Sequence, residues 1–158
     1  MCGRFALLTP GHDLITQFGV TETPVDVYMI TPRYNVAPTQ PVVVVRAAST
    51  SSASASTSPA SASTSPAQAV SPKREITFLQ WGLIPSWAKD PKIGSKLINA
   101  RSETAAEKPS FRAAFKRRRC LVLADGFYEW QKLNGKKQPM FIYMADKRPF
   151  ALAGLWES

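Results

Sequence analysis

Residues 47–72 use only Ser, Ala, Thr, Pro, Gln and Val, and they split the chain into two arms that hold every Trp, Phe and Tyr. A segment with so little apolar bulk cannot offset the entropy of ordering it, so it predicts a disordered surface insert. The folded part is then two arms joined through the insert, one domain over 1–158 with a compact but small core.

Hydrophobic patterning within the arms points to an α+β domain. Leu14, Ile15 and Phe18 share one face of a short helix over 11–18. Four consecutive valines make 41–46 a strand, and an apolar pattern resumes over 76–83, so the insert stands where a hairpin loop would be. A polar helix is expected from about Ser102, and a short helix over 110–115 with Ser110 as its cap. Strands follow at 119–124 and 127–132, joined at Asp125-Gly126. Asn134-Gly135 is a type I′ hairpin signal that returns the chain through 140–144, and 150–155 forms a last strand. Strands with short helices between them give a mixed, mostly antiparallel sheet.

Lys and Arg outnumber Asp and Glu by 20 to 11, a net charge of +9, with a local run Lys116-Arg117-Arg118-Arg119. Such an excess favours a polyanionic partner through counterion release. No basic amphipathic helix, signal peptide or apolar run of membrane-spanning length is present in the sequence, which predicts an intracellular protein away from membranes. In a reducing compartment Cys2 and Cys120 are not expected to pair. Cys120, inside Cys120-Leu121-Val122-Leu123-Ala124, reads as a small buried hydrophobe.

Chemistry concentrates in few residues. Removal of Met1 would leave Cys2 with a free α-amine and a thiol, whose pKa values of about 8 and 8.5 leave a usable nucleophilic fraction of each at neutral pH. The pair can react twice with one aldehyde, first as a Schiff base and then as a five-membered thiazolidine. The alternative is that Cys2 is merely the second residue. In Phe127-Tyr128-Glu129-Trp130, strand alternation sets Phe127 and Glu129 on one face and Tyr128 and Trp130 on the other. Partial burial would let Glu129 hold or shuttle a proton; a strand Glu paired with a Lys or Arg is the other reading. Asn99, between Ile98 and Ala100, could position an imine or simply form a turn. Arg4, Arg33, Arg101 and 116–119 can contact phosphates. Trp81 and Trp87 can stack on bases, with core packing the alternative for Trp81. His12, beside Asp13 at a helix start, is assigned no role. The sequence holds no metal-ligand spacing and no glycine-rich phosphate loop, so neither metal nor cofactor is expected.

Five ordered blocks carry a resemblance: Met1-Cys2-Gly3-Arg4-Phe5, Arg33-Tyr34-Asn35-Val36-Ala37-Pro38, Trp81-Gly82-Leu83-Ile84-Pro85-Ser86-Trp87, Ile98-Asn99-Ala100-Arg101-Ser102-Glu103-Thr104, and Cys120 through Trp130. Together they resemble the SOS response-associated peptidase family of abasic-site processing, DNA-crosslinking proteins. The resemblance implies a single domain built around a β-barrel-like sheet, with a positively charged groove for single-stranded DNA leading to Cys2. It implies that Cys2 forms a thiazolidine with the ring-opened sugar of an abasic site after autocatalytic removal of Met1. Asn99 would orient the sugar or imine and Glu129 would handle protons. Arg4 and Arg101 fall at positions that match DNA-contacting arginines and Asn35 lies in a matching block near the site; with the stacking residue Trp87 they make up the expected DNA-binding set. By the family's pattern the domain is incomplete at the C-terminus: further strands and a histidine in a His-x-Arg-Met-Pro-like segment follow in the family, and His12 does not match it. A monomer is expected, cytoplasmic and nucleoid-associated, or nuclear in a eukaryote. The competing readings are a non-catalytic module for single-stranded DNA, an unstable inactive fragment, and an N-terminal-nucleophile amidotransferase. The last also begins Met-Cys-Gly but is disfavoured by Arg4 and Phe5.

Overall fold

Val42, Val43, Val44 and Val45 are all buried, so β3 (Pro41–Ala47) is covered on both faces. A continuous β-branched run fits that environment. The computed structural model describes residues 3–48 and 73–158; the expected disorder of the insert therefore falls almost wholly outside the described residues. β3 pairs antiparallel with β4 (Arg74–Gln80) from Pro41 opposite Gln80 to Ala47 opposite Arg74. The ladder closes with the Ala48 N–H donating to the Lys73 carbonyl at 2.8 Å. Ala47 and Ala48, which composition assigns to the insert, are thus held in the ladder by backbone pairing.

The remaining elements are β1 (Phe5–Leu7), α1 (Gly11–Phe18), β2 (Arg33–Val36), α2 (Ser102–Ala105), α3 (Arg112–Arg117), β5 (Arg119–Ala124), β6 (Gly126–Leu133), β7 (Lys136–Tyr143) and β8 (Phe150–Leu155). They form two antiparallel four-stranded sheets, ordered β2-β1-β6-β7 and β4-β3-β5-β8. Each sheet takes strands from both arms, and Phe5, Leu14, Val36, Val44, Ile76 and Leu123 share one core. This is the expected α+β architecture with a correction: the strands do not close into a barrel. The chain steps from one sheet to the other at Asp125, between β5 and β6, and β2, β7, β4 and β8 remain sheet edges. Among the described residues no helix is long and apolar enough to cross a membrane.

Two local details follow from the sequence. Asn134 and Gly135 have φ of 48° and 76°, the pair of positive values that a type I′ turn needs, and the turn joins β6 to β7 in register from Leu133 opposite Lys136 to Gly126 opposite Tyr143. Ser110 is not the cap of α3: the helix starts after Phe111, with no side-chain cap bond. Burial of Phe111 against Leu83 and Ala114 fixes where the chain enters the helix, overriding the capping preference of Ser110.

Candidate active site

β1 lies between β2 and β6, so the first described residues are held from both sides. Phe5 is opposite Phe127 and Ala6 opposite Gly126, and the Tyr128 N–H donates to the Arg4 carbonyl at 2.9 Å. Glu129 is the next residue of β6 after this contact. On the other side Phe5 pairs with Val36, and the Arg4 Nη1 donates to Asn35 Oδ1 at 2.9 Å. The Tyr128 hydroxyl donates to the Tyr34 carbonyl at 3.0 Å, linking β6 to β2 across β1. Arg4, Asn35 and Glu129, far apart in sequence, thus converge where the chain begins. Met1 and Cys2 themselves lie outside the described residues.

Glu129 is half-buried, on the face of β6 that carries Phe127. Phe127 meets Phe150 edge-on at 6.4 Å, while Tyr128 packs on Phe141 at 4.9 Å on the opposite face, as the alternation predicts.

Asn99 reaches this region through Trp81. The Trp81 ring packs on Phe5 with 5.4 Å between centroids, and its indole N–H donates to the Ile98 carbonyl at 2.8 Å. Core packing is therefore the role of Trp81, and through it the Asn99 loop is fastened to β1. Asn99 is exposed and borders a cleft of about 550 Å³ that Phe5 and Trp81 also line. The bend behind this loop requires Gly82: its φ is 126°, and a Cβ there would sit 2.6 Å from the Gly94 carbonyl oxygen. Arg101 is exposed at the start of α2.

Trp87 stands apart from this cluster. It is 58% exposed and lines a separate cleft of about 220 Å³ with Lys89, Lys92, Ile93 and Lys96, which meets the larger cleft at Ala88. Those lysines were not singled out in the sequence; their spacing of three and four residues behind an exposed aromatic was the available signal. Two cations proposed for phosphate contact are instead structural. Arg33 donates to the Pro41 carbonyl and to Gln40 Oε1, and Arg118 pairs with Glu157 at 2.8 Å. The basic run is thus reduced at its third position. His12 is exposed and 3.0 Å from Asp13.

Sequence reasoning also missed Asp125. Its carboxylate accepts the Leu8 N–H at 2.5 Å, the Thr9 N–H at 2.9 Å and the Thr9 hydroxyl at 2.5 Å, while the Asp125 N–H donates to the Ala6 carbonyl at 2.8 Å. It pins the exit of β1 at the corner between the sheets, and so helps hold the N-terminal strand in place.

The chain matches the SOS response associated peptidase (SRAP) family model over residues 1–158. It is 41% identical over 159 residues to the abasic site processing protein YoqW of Bacillus subtilis, covering 99% of this chain and 60% of that one. It is 48% identical over 89 residues to the abasic site processing protein HMCES of Xenopus tropicalis, covering 51% of this chain and 27% of that one. A crystal structure of a Bacteroides thetaiotaomicron protein superposes with a TM-score of 0.70 at 24% identity, over 98% of this chain and 61% of that one. The chain therefore spans about three fifths of the length of the YoqW relative and of that solved structure. With the family match over the whole chain and the same two-sheet scaffold in a solved protein, the chain belongs to the SOS response associated peptidase family.

Proposed function

We propose that this chain processes abasic sites in single-stranded DNA and does so covalently through Cys2. One observation carries the reading: the Tyr128 N–H donates to the Arg4 carbonyl, which holds the residue before the half-buried Glu129 against the start of β1, two residues from Cys2 and beside the Arg4–Asn35 pair. The names of the relatives YoqW and HMCES supply the abasic site as substrate.

Hydrolysis of the Met1–Cys2 peptide bond consumes one water and frees the Cys2 amine. The ring-opened sugar presents an aldehyde. The amine adds to that carbon, a proton moves to the resulting hydroxyl, and water leaves as the C=N bond forms. The Cys2 sulfur then adds to the imine carbon and the nitrogen takes up a proton, closing the thiazolidine, so that the condensation releases one water overall. Glu129 donates the proton that lets water leave and can return it for reversal. Asn99 holds the sugar oxygen or the imine. Arg4 and Arg101 balance phosphate charge, Asn35 fixes the Arg4 fork, and Trp87 stacks on a base. Such chemistry places the protein in the response to DNA damage.

A single-stranded oligonucleotide with one abasic site tests the reading. A heat-stable shift is expected from the wild type and none from Cys2→Ser; equal shifts from both would reject it. Glu129→Gln should slow the shift by about 10²-fold or more. Intact mass should be lower by one methionine residue. The second reading, a non-catalytic binding module, is favoured by the Trp87 cleft with Lys89, Lys92 and Lys96, which needs no Cys2. Equal, salt-sensitive and wholly non-covalent binding of intact and abasic strands would select it.

A further inference from the structure

Residues 89–119 hold ten of the chain's 20 Lys and Arg but three of its 11 Asp and Glu, so seven of the nine net positive charges come from this one stretch. Part of that charge is Lys89, Lys92 and Lys96 beside Trp87. The rest gathers at α3. The Lys108 carbonyl accepts the Arg112 N–H at 2.9 Å, so helical bonding starts one turn ahead of α3. Lys108, Arg112 and Lys116 then fall four residues apart on one face, with about 5 to 6 Å between successive Cβ atoms. Phe115 borders this face and is 40% exposed. All three cations are exposed, and among the described residues none of them has an ion pair. The opposite face, Phe111 and Ala114, is buried with Leu83 and Leu97.

Local helix energetics do not account for this stripe. Like charges four residues apart repel, and Arg112 stands in the first turn of α3, where the helix dipole disfavours a cation and no acid offsets it. Of the stripe only Lys116, in the last turn, is favoured by the dipole. A polyanion laid along the face relieves the repulsion and gains from counterion release. A single nucleic acid strand fits it best, because cations with an exposed aromatic among them hold both phosphates and a base. The face also continues the path assigned to Trp87. The Leu83 N–H donates to the Leu97 carbonyl at 3.1 Å, so the Trp87 loop, the Asn99 segment and α3 stand on one small core. An acidic polypeptide would use the cations equally but has no such continuity.

We propose that the face of Lys108, Arg112 and Lys116, with Phe115, is a second phosphate-binding surface that anchors the flank of a single DNA strand, away from the reacting sugar. This rests on the reading of the chain as a single-stranded DNA protein and adds a dependence on strand length: a strand that covers only the site misses α3, and a longer one gains it. The surface positions the strand and takes no part in the chemistry of Cys2.

The test uses the Cys2→Ser chain as parent and oligothymidylate without abasic sites, so that fluorescence anisotropy across a salt series reads non-covalent binding alone. Arg112→Glu with Lys116→Glu should weaken binding of a strand of about 20 nucleotides by about tenfold or more at about 0.1 M salt, and flatten the log–log salt slope by about one or two. On a strand of about 5 nucleotides the same variant should stay within about twofold of the parent. Arg112→Gln with Lys116→Gln should give a smaller loss of the same sign at an unchanged urea midpoint, which separates binding from folding. Lys136→Glu with Lys137→Glu removes the same charge at the β6–β7 turn and should change affinity by less than about twofold. The proposal is overturned if the α3 variant binds the long strand as the parent does, if the short strand loses as much as the long one, or if the β6–β7 variant loses as much as the α3 variant. Unchanged strand binding with loss of poly-glutamate binding would overturn it in favour of an acidic polypeptide. Absence of any salt-sensitive binding by the parent would sink the single-strand reading as well. Binding that depends on α3, with no crosslink from the wild type on abasic DNA, would reject the Cys2 reaction alone.

Discussion

Burial pushes the Cys120 thiol up to about 11, against the weaker opposing pull of the nearby Arg46 guanidinium. The folded state therefore retains this proton over a range where the unfolded chain has lost it. The resulting stabilisation is whole below about pH 9 and is lost as pH rises towards 11, by about 2 to 3 kcal/mol. Denaturant midpoints for wild type and Cys120→Ala should converge across that window as the wild type loses its advantage; parallel curves would contradict this. Asp125 is the other residue whose surroundings make a quantitative claim. Asp125→Ala strips the acceptor from two backbone N–H groups and a hydroxyl, and should cost about 2 to 4 kcal/mol in urea unfolding. A change under 1 kcal/mol would mean that water replaces the carboxylate. Glu129 and Asn99 could be singled out in the sequence because each is a polar residue set among apolar ones. Asp125 could not, since Asp-Gly between two strands reads as an ordinary turn, and its partners Leu8 and Thr9 lie more than a hundred residues away.

Among the elements, α1, β5 and β8 have the bounds that apolar spacing indicates, because in each the pattern of the strand or helix agrees with what its neighbours bury. α3 differs because Phe111, a packing residue, outweighs Ser110, a capping one. The split into two sheets was illegible for a related reason: nothing local tells β5 and β6 that they belong to different sheets. Gly126 marks the crossing. A Cβ there would lie 2.3 Å from the Phe141 ring and 2.8 Å from the Ile142 carbonyl oxygen, so Gly126→Ala should destabilise by about 1 to 3 kcal/mol, and Phe141→Leu should recover part of the loss. The β3–β4 ladder, closed at Ala48 and Lys73, makes a separate claim. Replacing residues 49–72 with Asn-Gly should preserve both sheets and raise stability by about 1 to 2 kcal/mol through lower loop-closure entropy. A lowered urea midpoint would show that the insert contributes contacts of its own.

At the scale of the molecule, charge and shape divide the surface. The +9 chain has lost Arg33 and Arg118 to internal bonds, while Lys89, Lys92 and Lys96 surround the exposed Trp87. Affinity for single-stranded DNA should fall steeply with salt, and Lys92→Glu with Lys96→Glu should flatten the log–log slope by about one or two. An unchanged slope would move the phosphate path elsewhere. That the site could be approached from sequence at all reflects its blocks of polar and aromatic residues; their convergence needed the sheet. The sheet also makes β1 a ruler. With Phe5, Ala6 and Leu7 all buried, it cannot slip by one residue without turning its side chains to the wrong faces. One glycine inserted between Gly3 and Arg4 should therefore leave the core untouched but lengthen the chain ahead of β1 by about 3.3 Å, and under the proposed reaction it should slow the abasic-site shift without lowering the urea midpoint. If the proposed reaction holds, an N-terminal tag of any length should abolish the abasic-site shift, and an equal shift from tagged protein would count against it.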